Sequence, residues 1–255
     1  MEYYRLTLYI IFGVLPSLIW LFYYLTKDLH PEPKKTILRV FLFGALATIP
    51  TLFIQVWLSE SLVQSQYLAG IYLPEIVVYL PFIFKIVKWF LIIALTEEVF
   101  KYLVVRLSVY QYGVLDEPLD VMLYMVVSAL GFAALENILY LFSPIGGVLS
   151  FDQIFKTTVT ISFIRFIGAT FLHTLSSALV GYFLVKSLFD PSRRLKFTAI
   201  GIFLATLLHG LYNFSIMTLR EPFNFIISAI ILAVLALFII YDFDEVKKLK
   251  GICKL

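Results

Sequence analysis

The chain has few of the residues that build disulfide-linked, cysteine-ligated or soluble proteins. Of its 255 residues only Cys253 is a cysteine, which excludes an intramolecular disulfide and a metal site made of cysteines. The H-E-x-x-H zinc signature is also absent. Only 15% of the residues are charged, whereas 61% are hydrophobic and the mean hydropathy is +0.95. This composition is typical of a polytopic membrane protein.

Seven segments are long and apolar enough to cross a bilayer, which takes about 20 residues. Because unpaired backbone amides are unstable in lipid and period-two alternation is absent, all seven are predicted to be helices. Residues 75–88 form either an interfacial helix or an eighth crossing. The interfacial helix is preferred, because an eighth crossing would break the alternation of the loops between the two sides of the membrane. The sequence therefore predicts an all-α polytopic transmembrane bundle of about 7 helices, or 8, with residues 1–255 as one integral membrane domain. The predicted spans are residues 6–25, 40–58, 86–106, 121–142, 157–185, 197–219 and 222–241.

Lysine and arginine are distributed unequally between the two sets of loops. Arg5, Lys85, Lys88, Lys156 and Arg220 lie on one side, and the remaining loop lysines and arginines lie on the other. Since basic loops stay in the cytoplasm, we expect the N-terminus outside and the C-terminus inside the cell membrane. The net charge of +3 comes from basic residues in these loops, which lie beside anionic lipid headgroups. It gives no reason to expect a nucleic-acid partner.

Two adjacent glutamates, Glu97 and Glu98, interrupt the third span. Each charge at mid-bilayer costs about 2.5 to 3.5 kcal/mol on insertion scales, so the pair indicates a function. Lys101 follows at spacings of three and four residues, on the same helix face, where it can hold one carboxylate ionised. A carboxylate that stays ionised beside one that takes up a proton suits general acid–base work on water.

Ionisable side chains also interrupt the next three spans at a similar depth. Isolated polar residues would not agree in depth, whereas a water-filled cavity between the central helices requires it. We therefore predict a catalytic cavity there. Besides the glutamate pair, the side chains expected around it are Lys101, Glu136, Tyr140, Arg165, His173, His209 and Asn213.

Three kinds of chemistry fit this set of residues. In hydrolysis, one glutamate takes a proton from water while His209 and Asn213, four residues apart on one face, stabilise the oxyanion of an amide intermediate. In a zinc site, His173, His209 and Glu136 would be ligands that leave a position open for water. A transporter would use the same buried groups as a proton or ion path, although no inverted repeat is visible. The residues alone leave these alternatives open.

Four segments carry these residues: EEVFK at 97–101, GFAALENILY at 131–140, FLHTLSSALVGY at 171–182 and HGLYNF at 209–214. In content and order they resemble the E-E-x-x-K motif, the third-carboxylate segment and the two histidine motifs of the PrsW family of intramembrane proteases. The resemblance covers a motif-bearing core at residues 96–214. The related type II CAAX-processing endopeptidases and bacteriocin-immunity proteins have a histidine motif where this chain has Glu136, which favours the PrsW branch.

The resemblance implies an integral membrane protease of bacteria that cleaves membrane-anchored proteins, such as an anti-sigma factor destroyed in the response to envelope stress. It assigns water activation to Glu97 and Glu98, and a catalytic or metal-binding role to His173 and His209. The family is labelled metalloprotease, whereas the CAAX relatives are argued to work through glutamate alone. Zinc is therefore one of two alternatives, and the expected partners are a membrane-anchored substrate and the lipid bilayer.

Overall fold

The computed structural model describes residues 2–28, 30–72, 79–109, 115, 117–142 and 150–249. Within these ranges the regular structure is helical and contains no strand. Two π-helices, Val87–Ala94 and Phe166–Thr170, and a 3₁₀ turn, Pro191–Arg193, interrupt the α-helices. The α-helices are α1 (Glu2–Leu25), α2 (Lys34–Tyr72), α3 (Leu80–Ile86), α4 (Leu95–Ser108), α5 (Pro118–Leu141), α6 (Phe151–Arg165), α7 (Phe171–Phe189), α8 (Arg194–Thr218) and α9 (Phe223–Lys247).

The predicted all-α membrane bundle is confirmed. Six helical segments of the described chain are long and apolar enough to cross a bilayer, and they match six of the seven predicted spans, of which none extends more than one residue beyond its segment. The other predicted span, residues 86–106, lies in a continuous helical run at residues 80–108. This run is not one of the six segments, because it contains too many charged residues. This run returns to the side of the bundle on which α2 begins, since Arg39 Nη2 donates to the carbonyl of Ser108 at 3.0 Å.

The segment expected at the interface, residues 75–88, is described only from residue 79. From Leu80 onward it is the beginning of the helical run at residues 80–108, with which it is continuous. Residues 75–78 lie outside the described part of the chain.

α5 is the central helix of the bundle. In its most apolar window 94% of the residues are buried, against 28% in the corresponding windows of α1, α2 and α9. The outer helices expose large apolar side chains such as Phe53, Phe203 and Leu237, and contiguous surface of this kind marks contact with lipid. Most of α5 is therefore enclosed by other helices, and Glu136, near its C-terminal end, is half-buried.

Two glycines let α2 and α5 approach until their backbones touch. A Cβ atom at Gly131 would lie 1.9 Å from the carbonyl oxygen of Phe41, and one at Gly44 would lie 2.1 Å from that of Ser128. Close contact of this kind is a main source of helix association in lipid, where apolar side chains gain little from burial. It places α2 beside the part of α5 that precedes Glu136.

Capping boxes begin two of the helices that surround the polar cluster. At α5, the Glu117 amide donates to Asp120 Oδ2 at 2.7 Å, and Pro118 occupies the first helical turn. At α6, the Ser150 amide donates to Gln153 Oε1 at 2.8 Å. These contacts satisfy amides that a helix start leaves without partners, and they fix where each helix begins.

Each π-helix lies immediately before a helix that carries candidate site residues. Val87–Ala94 leads into α4, which carries the glutamate pair, and Phe166–Thr170 leads into α7, which carries His173. Side chains bond to carbonyls in both stretches: Thr96 Oγ1 donates to Ile92 at 2.5 Å, and Trp20 Nε1 donates to Phe166 at 3.0 Å. Single π-helical turns occur often at functional sites, where they rotate the residues that follow.

Candidate active site

Glu98 on α4 is the carboxylate of the cluster with the most hydrogen bonds. Its Oε1 atom accepts from Lys101 Nζ at 2.9 Å and from His209 Nδ1 at 2.8 Å. Two serines of α7 complete the set: Ser176 Oγ donates to Oε1 at 3.0 Å and Ser177 Oγ donates to Oε2 at 3.2 Å. Glu98 is fully buried and joins α4, α7 and α8.

Glu97 has a different environment, although it is the preceding residue. Its Oε1 atom accepts from Gln55 Nε2 at 3.2 Å, whereas its buried Oε2 atom has no hydrogen-bond partner among the described residues. Oε2 lies 3.6 Å from Lys101 Nζ and 3.8 Å from both His173 Nδ1 and His209 Nε2. A buried acceptor without a donor costs about 1–3 kcal/mol. Such an atom is stabilised when water, a metal ion or a substrate group fills the space that it faces.

The hydrogen-bond partners define the tautomer of each neutral imidazole. A carboxylate only accepts, so the Nδ1 atom of His209 that contacts Glu98 carries the proton, and Nε2 keeps its lone pair. An ammonium group only donates, so His173 Nδ1 accepts from Lys101 at 2.7 Å, and its Nε2–H donates to Glu136 Oε2 at 3.0 Å. The unprotonated nitrogens of both rings therefore face Glu97.

Glu136 and Arg165 form a second ion pair, which is partly buried, on the outer side of His173. Arg165 Nη2 donates to Glu136 Oε2 at 2.6 Å, and its Nε–H donates to the side-chain carbonyl of Asn137. The amide of Asn137 donates in turn to the Gly13 carbonyl at 3.2 Å and to Thr170 Oγ1 at 3.1 Å. This network joins α1, α5, α6 and the second π-helix, and it fixes the carboxylate that orients His173.

The cluster holds one negative charge in excess when both histidines are neutral. Lys101 is nearest to Glu98 at 2.9 Å, and Arg165 is nearest to Glu136 at 2.6 Å. Glu97 is the carboxylate left over, because its nearest cation, Lys101, lies farther away at 3.6 Å. The surplus charge and the unpartnered oxygen therefore belong to the same residue.

A cavity of about 370 Å³ opens beside Glu97. Of the predicted residues, Glu98 and Lys101 lie behind its wall. Asn213 is half-buried and makes no hydrogen bond to a described residue, while the exposed ring of Tyr140 lies 4.6 Å from the Arg165 guanidinium carbon. The predicted residues that line the cavity are Glu97, Glu136, Tyr140, Arg165, His173, His209 and Asn213.

Glu97, His173 and His209 form a group that could hold a metal ion. One donor atom of each residue lies within 4.8 Å of the others, and two imidazole nitrogens with one carboxylate oxygen are the ligands of many hydrolytic zinc sites. The unpartnered Glu97 Oε2 fits this use. Lys101 Nζ occupies the approach to His173 Nδ1, so ligation by that atom requires the ammonium group to move.

This ligand group differs in one member from the set predicted from the sequence, which contained Glu136. Glu136 bonds instead to the far nitrogen of His173, the position from which carboxylates orient histidine ligands. The expected oxyanion donors also change. In its neutral form His209 turns an acceptor toward the cavity, which leaves the Asn213 amide as the donor of that pair.

Sequence reasoning missed two amides, Gln55 and Asn137. Gln55 lies on α2, outside the motif-bearing core, and donates to Glu97 Oε1, to Thr96 Oγ1 at 3.3 Å and to the Ile93 carbonyl at 3.4 Å. Asn137 follows Glu136 directly and holds Arg165. The one available signal was that each is a neutral amide in an otherwise apolar span, where polar side chains usually bond to a neighbouring helix.

Comparison with known proteins identifies the family. The family model for PrsW intramembrane metalloproteases matches residues 32–241, which include α2 and every helix of the polar cluster. The chain belongs to the PrsW family. The resemblance drawn from the four motifs is thereby confirmed, and with it the prediction of a peptidase that is integral to a membrane.

Curated relatives of the same family align with most of the chain. Protease PrsW of Oceanobacillus iheyensis is 31% identical over 202 residues, or 79% of this chain and 80% of its own. Protease PrsW of Geobacillus kaustophilus is 31% identical over 223 residues, covering 87% and 84%, and that of Bacillus subtilis is 29% identical over 211 residues, covering 82% and 83%. No solved structure matches the chain. Membership in a family of intramembrane proteases implies a protein substrate in the membrane.

Proposed function

We propose that this PrsW protein hydrolyses a peptide bond of a membrane-anchored protein with a water molecule that Glu97 activates. The observation that carries the proposal is that Glu97 lines the cavity and that its buried Oε2 atom has no described hydrogen-bond partner. Glu98 has the opposite surroundings, since four side chains already donate to it. Glu97 is therefore the general base of the pair, and Glu98 holds the surrounding groups in place.

Each proton in the proposed reaction has an acceptor on the protein. Glu97 takes a proton from water as the water oxygen attacks the peptide carbonyl, which gives a tetrahedral intermediate with a negative oxygen. The Asn213 amide donates to that oxygen, and one such donor contributes about 10²–10³ in kcat. Glu97 then returns the proton to the amide nitrogen as the carbon–nitrogen bond breaks, leaving a new carboxyl group and a new amine.

Glu98 and Lys101 prepare the cavity without lining it. Glu98 accepts from His209 Nδ1 and so keeps the unprotonated Nε2 atom turned toward Glu97. Lys101 lies 2.9 Å from Glu98 and 3.6 Å from Glu97, which makes its ammonium group the nearest cation to both carboxylates. A base that remains ionised in a bilayer needs such a neighbour.

If the enzyme is a zinc enzyme, Glu97, His173 and His209 are the residues that would hold the ion. Zinc supplies Lewis acidity when bound, which polarises a carbonyl and makes water a better proton donor. Glu136 would then fix the ring of His173 from behind through Nε2.

We propose that the substrate enters from the lipid. Ile164 and Met217 line the cavity and are 53% and 58% exposed on the outer surface of the bundle, so an apolar chain can reach Glu97 without crossing a polar surface. This favours a transmembrane protein of the anti-sigma-factor type, cleaved in an envelope-stress response.

The proposed orientation places the N-terminus outside and the C-terminus in the cytoplasm. Contacts that join segments assigned to the cytoplasmic side support it: His30 Nδ1, in the loop before α2, lies 2.5 Å from Glu117 at the start of α5. Tyr182, near the end of α7, donates to Glu245, near the end of α9, at 2.9 Å. The native Cys253 provides the test: an impermeant maleimide should label it only after the membrane is opened.

The catalytic proposal is tested with the protein reconstituted beside a membrane-anchored reporter in oxygen-18 water. We expect cleavage that places one labelled oxygen in the new carboxyl terminus. Glu97→Gln should lower the rate by about 10³ or more, since a positioned base contributes about 10²–10⁴. Glu60→Gln, an exposed glutamate of α2 away from the cavity, is the matched control and should retain full activity. Wild-type rates in Glu97→Gln would refute the assignment.

A further inference from the structure

A second cavity, separate from the candidate active site, lies between α1, α7 and α9. Its volume is about 580 Å³, and it shares no lining residue with the cavity beside Glu97. A substrate segment that is to be cleaved must reach Glu97, so this groove is not where the scissile bond binds. The residues that line the groove indicate a different ligand.

The floor of the groove is a stack of aromatic rings. Trp20 lies 4.4 Å from Phe171 at an interplanar angle of 14° and 5.4 Å from Phe166 at 26°. The polar atoms of this floor already have partners, since Trp20 Nε1 donates to the Phe166 carbonyl and Tyr24 donates to Thr174. The groove therefore presents ring faces and aliphatic side chains, which complement an alkyl chain.

One end of the groove is basic. Lys27 follows α1 and Lys247 is the last residue of α9, and both line the groove with a single carboxylate, Asp244. Neither lysine forms an ion pair with a described carboxylate, and Lys27 Nζ lies over the ring of Tyr23 at 4.7 Å. Two ammonium groups against one carboxylate favour an anion at this end of an apolar groove.

The length of the groove matches one leaflet of a bilayer. Along α9 its lining extends from Ala236 to Lys247, which at 1.5 Å per residue is about 16 Å. The hydrocarbon core is about 30 Å thick, so one leaflet contributes about half of that. The charged end coincides with the helix ends that the proposed orientation places in the cytoplasm.

We propose that this groove binds one anionic phospholipid of the leaflet on the lysine side. Its acyl chain lies over the Trp20, Phe166 and Phe171 rings, and its phosphate is held near Lys27 and Lys247. A neutral lipid fills the same apolar space but gains nothing from the two ammonium groups. The groove therefore selects lipids by headgroup charge.

Quenching of Trp20 fluorescence tests the selectivity directly. In full-length protein with Trp57→Phe and Trp89→Phe, Trp20 is the one tryptophan left, and brominated acyl chains quench an indole that they touch. We expect brominated phosphatidylglycerol, diluted into unbrominated phosphatidylcholine, to quench several-fold more strongly than brominated phosphatidylcholine at the same dilution. Equal quenching by both, or quenching by neither, would overturn the proposal.

The lysines provide matched variants. A lysine near an anionic lipid surface contributes about 1 kcal/mol, so Lys27→Gln and Lys247→Gln should each reduce the preference about fivefold. Lys248→Gln removes the same charge from the adjacent exposed residue, which does not line the groove, and should leave the preference unchanged. An equal effect of Lys247→Gln and Lys248→Gln would show general attraction to the surface and overturn the site.

A second measurement keeps the proposal falsifiable if the tryptophan substitutions prevent folding. Protein with all its tryptophans is extracted from membranes in mild detergent, and the phosphatidylglycerol that remains bound is measured by mass spectrometry. We expect retention in wild type and Lys248→Gln, and loss in the double variant Lys27→Gln, Lys247→Gln. Equal retention in all three, or loss from all three, would overturn the proposal.

Discussion

The contrast between Glu97 and Glu98 predicts that two identical substitutions will have different effects on stability. Glu98→Gln removes the charge 2.9 Å from Lys101, a pair whose gross attraction is about 6 kcal/mol at an effective dielectric constant of 20. Glu97 remains 3.6 Å from the ammonium group, so Lys101 keeps one counter-charge. Breaking a buried ion pair costs about 3–5 kcal/mol, and the remaining carboxylate places the expected loss near 3 kcal/mol.

Glu97→Gln should cost less than about 1 kcal/mol of unfolding free energy, the worth of a typical hydrogen bond. Lys101 keeps its closer partner Glu98, and the glutamine carbonyl can still accept from Gln55. The new amide group replaces an oxygen that had no described hydrogen-bond partner, and it faces the unprotonated nitrogens of two histidines. Both variants should lose proteolysis, but only Glu98→Gln should lose stability.

The assay pairs unfolding in mixed micelles, titrated with dodecyl sulfate and followed by circular dichroism, with cleavage of the reconstituted reporter. Glu60→Gln controls for the loss of a glutamate elsewhere on the bundle. A Glu97→Gln variant as unstable as Glu98→Gln would show that Glu97 is also a structural anion. Activity that survives in Glu97→Gln but not in Glu98→Gln would exchange the two roles.

Three further predictions concern the surroundings of Glu97. Gln55→Leu removes the donor to Glu97 Oε1 and should lower kcat about tenfold, the effect of about 1.4 kcal/mol, with little change in KM; steady-state cleavage kinetics measure both. Arg165→Met leaves the partly exposed Glu136 with His173 as its remaining described donor and should cost about 2 kcal/mol of unfolding free energy, while adding Glu136→Gln should recover part of that loss in a double-mutant cycle. If zinc is bound, metal analysis should find it lost in Glu97→Gln, His173→Ala and His209→Ala and retained in Glu136→Gln; loss in Glu136→Gln together with retention in Glu97→Gln would restore the ligand set predicted from the sequence.

The convergence of the cluster could be predicted from the sequence because burial of charge is costly. Glu97, Glu136, His173 and His209 interrupt apolar spans at similar depth, and such residues reach a stable state only by meeting one another. The spacing from Glu98 to Lys101 likewise predicts the ion pair that the structure shows at 2.9 Å.

The difference between the surroundings of Glu97 and those of Glu98 could not be predicted in this way. Consecutive residues of a helix point about 100° apart, so one glutamate must face the cavity less directly than the other. Which one does so depends on the rotation of α4, which follows a π-helix that no pattern in the sequence announces. The same holds for Gln55. Its partner Glu97 lies on another helix, so the spacing of residues along α2 does not predict the contact.

The arrangement of charges around the cavity fits the proposed reaction and not only a structural role. A bundle held by ion pairs alone would balance its charges, as Glu98 does with Lys101 and Glu136 with Arg165. A third carboxylate without its own cation raises the free energy of the resting protein, and that free energy is recovered when Glu97 takes up a proton or binds a cation. Abstraction of a proton from water and ligation of a metal ion are both events of this kind. In the proposed mechanism the surplus charge therefore favours the step that proteolysis needs, and the two pairs around it keep the helices in position while that step occurs.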